Sequence, residues 1–349
     1  MPPSAVPIVI PLPRQSLPRS SNKKTQPTNS IPDHLVLDAR DPAGNTPLHH
    51  AVLRTNPLVT AALLKAGADP NIQALRTTPL PDAAPDAPLP GIGSPLFYAL
   101  DKSLNSAMDM PTRVEHVKML LQAGARLDVL QEVDGTYAVH EAAMSGEVEL
   151  VRELFEHADA SPSPNGDEKE GKGLLDVNAR TTTPRDEAMR GSTPLMYACG
   201  RGVAAVVRLL VDRGADVRAV NHTGETALHW AGANENEDEV EGGEVVRMIV
   251  KEGVDVNVRN RLGGTALHIA AYRGRLGNVK VLLELGVDTR VVTTDLHFEK
   301  MIGVKGTAEE IARGEGHWEV AECIKEWEAT HPMGGWKASE GAAEVAGAS

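Results

Sequence analysis

Apolar residues along this chain fall into short clusters that recur in pairs, each pair punctuated by glycine. The second cluster of a pair has the period of one helix face: Val206, Val207, Leu209 and Leu210 in one stretch, Val279, Val281, Leu282 and Leu283 in another. The first cluster is shorter and opens on a fixed signature. Thr46-Pro47-Leu48-His49, Thr193-Pro194-Leu195-Met196, Thr226-Ala227-Leu228-His229 and Thr265-Ala266-Leu267-His268 are variants of one tetrapeptide. Ser94-Pro95-Leu96-Phe97, Tyr137-Ala138-Val139-His140 and Thr307-Ala308-Glu309-Glu310 fill the same slot with more drift.

Each position has a mechanical reading. Thr or Ser caps a helix by offering its hydroxyl to a backbone N–H of the first turn. Pro at the next position has a pre-set φ and wastes no donor. Leu then opens the apolar face. Small pairs such as Ala142-Ala143 and Ala270-Ala271 allow helices to approach closely, and Gly146, Gly202 or Gly274 ends the first helix. The second helix closes on Gly67-Ala68-Asp69, Gly124-Ala125-Arg126, Gly214-Ala215-Asp216, Gly253-Val254-Asp255 or Gly286-Val287-Asp288, where Gly supplies a left-handed residue and Asp starts a turn.

Cap tetrapeptide, alanine pair, glycine and Gly-Ala-Asp in one order, over roughly residues 38–330, resemble the ankyrin-repeat family. The resemblance implies an all-α repeat solenoid. It has about six helical hairpins, a degenerate seventh copy as C-terminal cap ending near Glu328, short hairpin fingers and several insertions. Cap positions at 46, 94, 137, 193, 226, 265 and 307 are separated by 48, 43, 56, 33, 39 and 42 residues. An uninterrupted ankyrin repeat takes about 33, so five of the six intervals carry extra residues. Residues 73–92, rich in Pro, read as an irregular loop. Residues 101–112 and 234–243 fall between the helices of their copies, 159–173 read as a mobile low-complexity loop, and 291–305 extend a finger. The chain thus divides into a disordered, Pro-rich basic arm (1–37), the repeat domain (38–330) and a disordered tail (331–349).

Composition narrows the function. Of 349 residues, 41% are hydrophobic but only 3% aromatic, which suits helices packed through Leu, Val and Ala. A net charge of −13 argues against direct nucleic-acid binding. Cys199 and Cys323 lack the spacing of a zinc site or a disulfide framework, and fit a reducing compartment. No stretch approaches the ~20 apolar residues of a membrane span. Val6-Pro7-Ile8-Val9-Ile10-Pro11-Leu12 is too broken by proline for a signal-peptide core. The arm's Arg14, Arg19, Lys23 and Lys24 are interspersed with prolines that forbid the amphipathic helix of a transit peptide. An intracellular protein, cytoplasmic or nuclear, is expected.

The catalytic and nucleotide-binding motifs sought (GxGxxG, a Walker loop, GxSxG, HExxH, a kinase signature) do not occur. The expectation is therefore no catalytic residue, no metal and no cofactor. His49, His140, His229 and His268, one per copy, cannot converge on one ion and read as structural. Trp230 reads as packing between neighbouring helices, Trp318 and Trp327 as cover for the exposed end, and the acidic run 235–241 as a solvated loop. In ankyrin proteins the residues that vary are those on the fingers and on the inner helices near their C-terminal ends, and a partner is expected there. Carried onto copies four to six, those positions are Arg190, His222 and Arg261 from the fingers, with Arg201, Asn234, Tyr272 and Arg273 from the inner helices. The set is basic and aromatic on an acidic chain, and Arg grips carboxylates bidentately. The resemblance implies a non-catalytic scaffold or adaptor for a protein partner, expected to be monomeric, and the line of Arg190, Arg201, Arg261 and Arg273 points to an acidic or aromatic-acidic segment of that partner. Alternatives within the same class are a nuclear transcriptional coregulator and a non-catalytic subunit of an enzyme complex such as a ubiquitin ligase.

Overall fold

The computed structural model describes residues 37–74 and 93–331, apart from 105, 132–134, 161–174, 183–188, 235, 237–238, 294–296, 299–300 and 303–305. The arm before residue 37, most of the Pro-rich insertion, most of 159–173 and the tail from 332 lie outside the described residues. Seven helix pairs follow in order: α1 (Pro47–Leu53) with α2 (Pro57–Ala66), α3 (Pro95–Leu100) with α4 (Met110–Gln122), and α5 (Ala138–Ser145) with α6 (Val148–Ala160). Then come α7 (Pro194–Arg201) with α8 (Ala204–Asp212), α9 (Ala227–Ala233) with α10 (Glu239–Lys251), α11 (Ala266–Tyr272) with α12 (Leu276–Glu284), and α13 (Ala308–Gly314) with α14 (Trp318–Thr330). First helices pack on first helices of the neighbouring copies, and second on second, giving an inner and an outer row.

The tetrapeptide's third position supplies one continuous line of core: Leu48, Leu96, Val139, Leu195, Leu228 and Leu267 are all buried. In the outer row Val206, Val207 and Leu210 are fully buried, as are Val279 and Leu282, whereas Leu209 is only half-buried. Every cap position noted in the sequence precedes a helix, including Tyr137.

Several boundaries differ from the sequence reading. In the second and fifth copies α4 and α10 begin at Met110 and Glu239, inside the segments 101–112 and 234–243 that the sequence places between helices. Likewise α6 runs through Ala160, into the segment read as loop. The last copy is a full helix pair, its Thr307 and Glu310 forming a reciprocal cap: Thr307 N–H donates to Glu310 Oε2 at 2.8 Å and Glu310 N–H to Thr307 Oγ1 at 3.3 Å. The finger before it carries two short antiparallel strands, β1 (His297–Phe298) and β2 (Met301–Ile302), closed at the base by Thr293 N–H to Gly306 O. Trp318 does not cover the C-terminal end. It is 62% exposed, while Trp327 is half-buried and stacks on His331 at 3.9 Å.

The four tetrapeptide histidines work as staples. Backbone N–H groups of Thr46, Tyr137, Thr226 and Thr265 donate to the Nδ1 of the histidine three residues on, at 3.1, 3.2, 3.1 and 3.2 Å. An amide can only donate, so Nδ1 is the acceptor and the ring proton sits on Nε2. That proton goes to a carbonyl at the approach to the next copy: Gly93, Ser192, Gly264 and Val291, at 3.0, 3.2, 3.1 and 3.0 Å. With both nitrogens so engaged, the ring is closed to a metal. The fourth copy has Met196 instead, whose sulfur accepts the Thr193 N–H at 3.5 Å and has no proton to pass on.

Burial holds His49, His140, His229 and His268 at about 4, since a protonated ring would be desolvated. The ordinary value is about 6.5. Between the two, the unfolded chain binds more protons, so this stability is complete above about pH 6.5 and is lost as pH falls towards 4. The expected result is a melting temperature that drops steeply from about pH 7 to about pH 5, with a shallower slope in His229→Gln, which removes one titrating ring. An unchanged slope in that variant would show that the ring does not titrate on unfolding. Separately, Leu282→Ala should cost roughly 2–5 kcal/mol and Leu209→Ala less, because only Leu282 is fully enclosed. Equal costs in chemical denaturation would contradict this packing.

Candidate partner-binding face

The fingers owe their shape to an asparagine that folds back on its own backbone. Asn221 Oδ1 accepts from Thr223 N–H (3.1 Å), the Thr223 hydroxyl (2.7 Å) and Glu225 N–H (2.9 Å). Asn260 Oδ1 accepts from Leu262 N–H and Gly264 N–H at 3.0 and 2.9 Å in the next finger. These turns leave the following residue, His222 or Arg261, exposed at the tip. Successive fingers are then joined through backbone: His222 N–H donates to Arg190 O at 2.8 Å and Arg261 N–H to Thr223 O at 2.9 Å. Gly224, at φ 78°, makes the second junction possible, since a Cβ there would stand 2.9 Å from the Arg261 nitrogen. Arg180 braces the first junction, its Nη1 donating to Val220 O at 2.6 Å and Gly191 O at 3.2 Å. Arg190, His222 and Arg261 therefore stand in order along one rim.

The inner helices add an aromatic row. Tyr197 on α7 meets His140 edge-on at 5.7 Å and Trp230 of α9 at 5.2 Å. Trp230 is half-buried and lies over α7, where Gly200 leaves room: a Cβ at that position would be 3.1 Å from the indole. Trp230 thus packs between helices, as its sequence position suggests, yet keeps part of its ring at the surface. Tyr272, half-buried at the end of α11, lies under the Arg273 guanidinium at 6.0 Å. Arg201 and Arg273, both exposed, end α7 and follow α11, where a cation is favoured by the helix dipole. Met189 and Val220 on the fingers are 38% and 47% exposed.

Beneath this row Glu225 is buried. Burial pushes its carboxyl up, opposed by donors on Asn221, Trp230, Thr223 and Asn260. The Asn221 amide reaches it at 3.3 Å, whereas Trp230 Nε1 and Asn260 Nδ2 stop short of closed hydrogen bonds.

Asn234 does not belong to the face. It is 1% exposed, and its Nδ2 donates to Ala231 O at 2.9 Å and Gly242 O at 3.1 Å, beside Asn278, whose own amide donates to Ala231 O and Gly232 O. The reason is the insertion. The inner helices α5, α7 and α11 run into Gly146, Gly202 and Gly274, but after α9 the chain leaves in an extended conformation at Asn234, which turns inward to satisfy the carbonyls that a glycine turn would otherwise serve. The missing glycine was the sequence signal. Conversely, Tyr197, Met189 and Val220 belong to the face and carried no motif to mark them.

Among the described residues no helix is long and apolar enough to cross a membrane. Cys199 and Cys323 are free thiols, one buried and one half-buried.

Family models for ankyrin repeats match residues 43–75 (a single repeat), 165–242 (three copies) and 244–297 (many copies). Neurogenic locus notch homolog protein 1 of Xenopus laevis is 28% identical over 145 residues, 38% of this chain and 6% of that protein. Neurogenic locus notch homolog protein 2 of Homo sapiens is 30% identical over 131 residues, 34% of this chain and 5% of that protein. E3 ubiquitin-protein ligase XBAT32 of Arabidopsis thaliana is 40% identical over 68 residues, 20% of this chain and 13% of the ligase. The matches thus cover only a small part of these relatives. The solved ankyrin repeat domain of Bcl-3, a member of the IkappaB protein family, is 25% identical, with a TM-score of 0.49 over 81% of this chain and 99% of that domain. Ankyrin repeats are protein–protein interaction modules, and from the cap tetrapeptides to the stacked helix pairs and the three matched segments this chain is a member of the ankyrin-repeat family.

Proposed function

We propose that this chain is a non-catalytic scaffold or adaptor that grips an acidic or aromatic-acidic segment of a partner protein along copies four to six. The observation carrying this reading is the ordered basic rim of Arg190, His222 and Arg261, joined finger to finger by backbone hydrogen bonds, on the copies whose inner helices carry half-buried Tyr197, Trp230 and Tyr272. Arg and aromatic residues are the types that anchor interface centres. Arg201 and Arg273 extend the same charge onto the inner helices. On a chain of net charge −13, that concentration of cations steers acidic segments here and repels them elsewhere. The chain works as a monomer inside the cell, in cytoplasm or nucleus, without direct nucleic-acid contact. The stretch similar to the plant ubiquitin ligase favours an adaptor subunit as the second reading; coregulator and adaptor differ only in the partner held.

Affinity capture on the tagged chain should recover one stoichiometric partner. Arg261→Glu with Arg273→Glu should then weaken binding by roughly tenfold or more and slow association, with the melting temperature nearly unchanged and the remaining affinity less sensitive to salt. Reversal of Glu149, exposed on α6, should do little. Asn234→Ala should behave oppositely, costing about 1–3 kcal/mol of stability by leaving carbonyls unserved while sparing affinity in the folded protein. Wild-type binding by the Arg pair, with binding lost on reversals outside copies four to six, would move the site; small-molecule turnover by the purified chain would end the scaffold reading.

A further inference from the structure

The two ends of the solenoid are finished differently. At the C-terminal end, α14 presents Glu319, Glu322, Lys325 and Glu326 to solvent. At the N-terminal end, α2 has one charged residue, Lys65, and exposes Leu58 (83%) and Val59 (43%), with Ala61, Ala62 and Ala66 also exposed and Leu63 half-buried. Counted back from the closing glycine, Val59 and Leu63 correspond to Val206 and Leu210 of the fourth copy, which are fully buried there. These are positions that interior copies enclose, and in the first copy they stand open. A solenoid end of this kind needs a cover to stay soluble.

We infer that residues Val6–Leu12 of the chain's own N-terminal arm cover this face as an extended strip along α2. Three features single out this occupant. Asp38 Oδ1 accepts the Asp69 N–H at 3.1 Å, so the chain enters the first copy beside the C-terminal end of α2, and Leu37 is already packed on the core. Val6, Ile8, Ile10 and Leu12 alternate, and in an extended chain they share one side, while Pro7, Pro11 and Pro13 exclude a helix. The segment between Leu12 and Leu37 spans far more than the length of α2 at roughly 3.3 Å per residue. Tethering raises the strip's local concentration to the order of millimolar, ahead of any second copy in dilute solution.

Hydrogen exchange on the full chain tests this. In the wild type, α2 amides and those of Val6, Ile8, Val9, Ile10 and Leu12 should be protected, independently of protein concentration. Ile8→Asp with Ile10→Asp should speed exchange in α2 about tenfold or more, with α13 and α14 unchanged. The reciprocal Leu58→Asp, at a position too exposed to unfold the copy, should release the 6–12 amides. Unprotected 6–12 amides in the wild type, α2 exchange unaffected by the arm substitutions, or α2 protection that rises with protein concentration would each overturn the proposal, the last in favour of a second copy.

Discussion

A helix of seven residues is too short to persist alone in water, and this protein's inner row is built from helices of six to eight. In four of the seven, what helps sustain them is the neutral histidine ring of the cap tetrapeptide. It accepts from the backbone that begins its own helix and donates to the backbone that leads into the next. One side chain therefore satisfies a helix end and ties two copies, and the burial that keeps the ring neutral comes from the helices it ties. Local structure and long-range packing cannot be separated here, which is why stability is shared between each copy and its interfaces.

The candidate face inherits its order from that arrangement. Finger tips carrying Arg190, His222 and Arg261 fall in line because the inner helices beneath them are held in register. Tyr197 and Trp230 meet because they occupy equivalent places on adjacent helices. A surface made this way is stiff along its length, so it loses little ordering entropy of its own when a segment settles on it.

Much of this was legible in the sequence, and the reasons differ by residue. The caps, the Leu48-to-Leu267 line and the structural histidines were legible because each depends on a local pattern repeated in register. Asn234 was misplaced because its fate depends on an insertion that removed a glycine, a change that acts through the carbonyls it leaves open. Trp318 was expected to close the end, but the start of α14 turns it outward. Trp230 was read as packing and is so; its seat over Gly200 depends on another helix, which no reading of its own neighbourhood could supply.

The substitution of Met196 for histidine has a consequence of its own. Between the fourth and fifth copies the histidine tie is absent, and the joint is made instead by Tyr197 and Gly200 against Trp230 inside and by His222 N–H on Arg190 O and Arg180 on Val220 O at the rim. In mechanical terms the solenoid is pinned at its centre by a hydrogen bond in the four histidine-bearing copies, and here by ring packing at the centre with backbone bonds at the edge. The rim at that joint is also the proposed contact for a partner. A segment laid across Arg190 and His222 would act as a splint over a joint that no histidine pins, and its grip would pass to both copies through the backbone bond those two residues share.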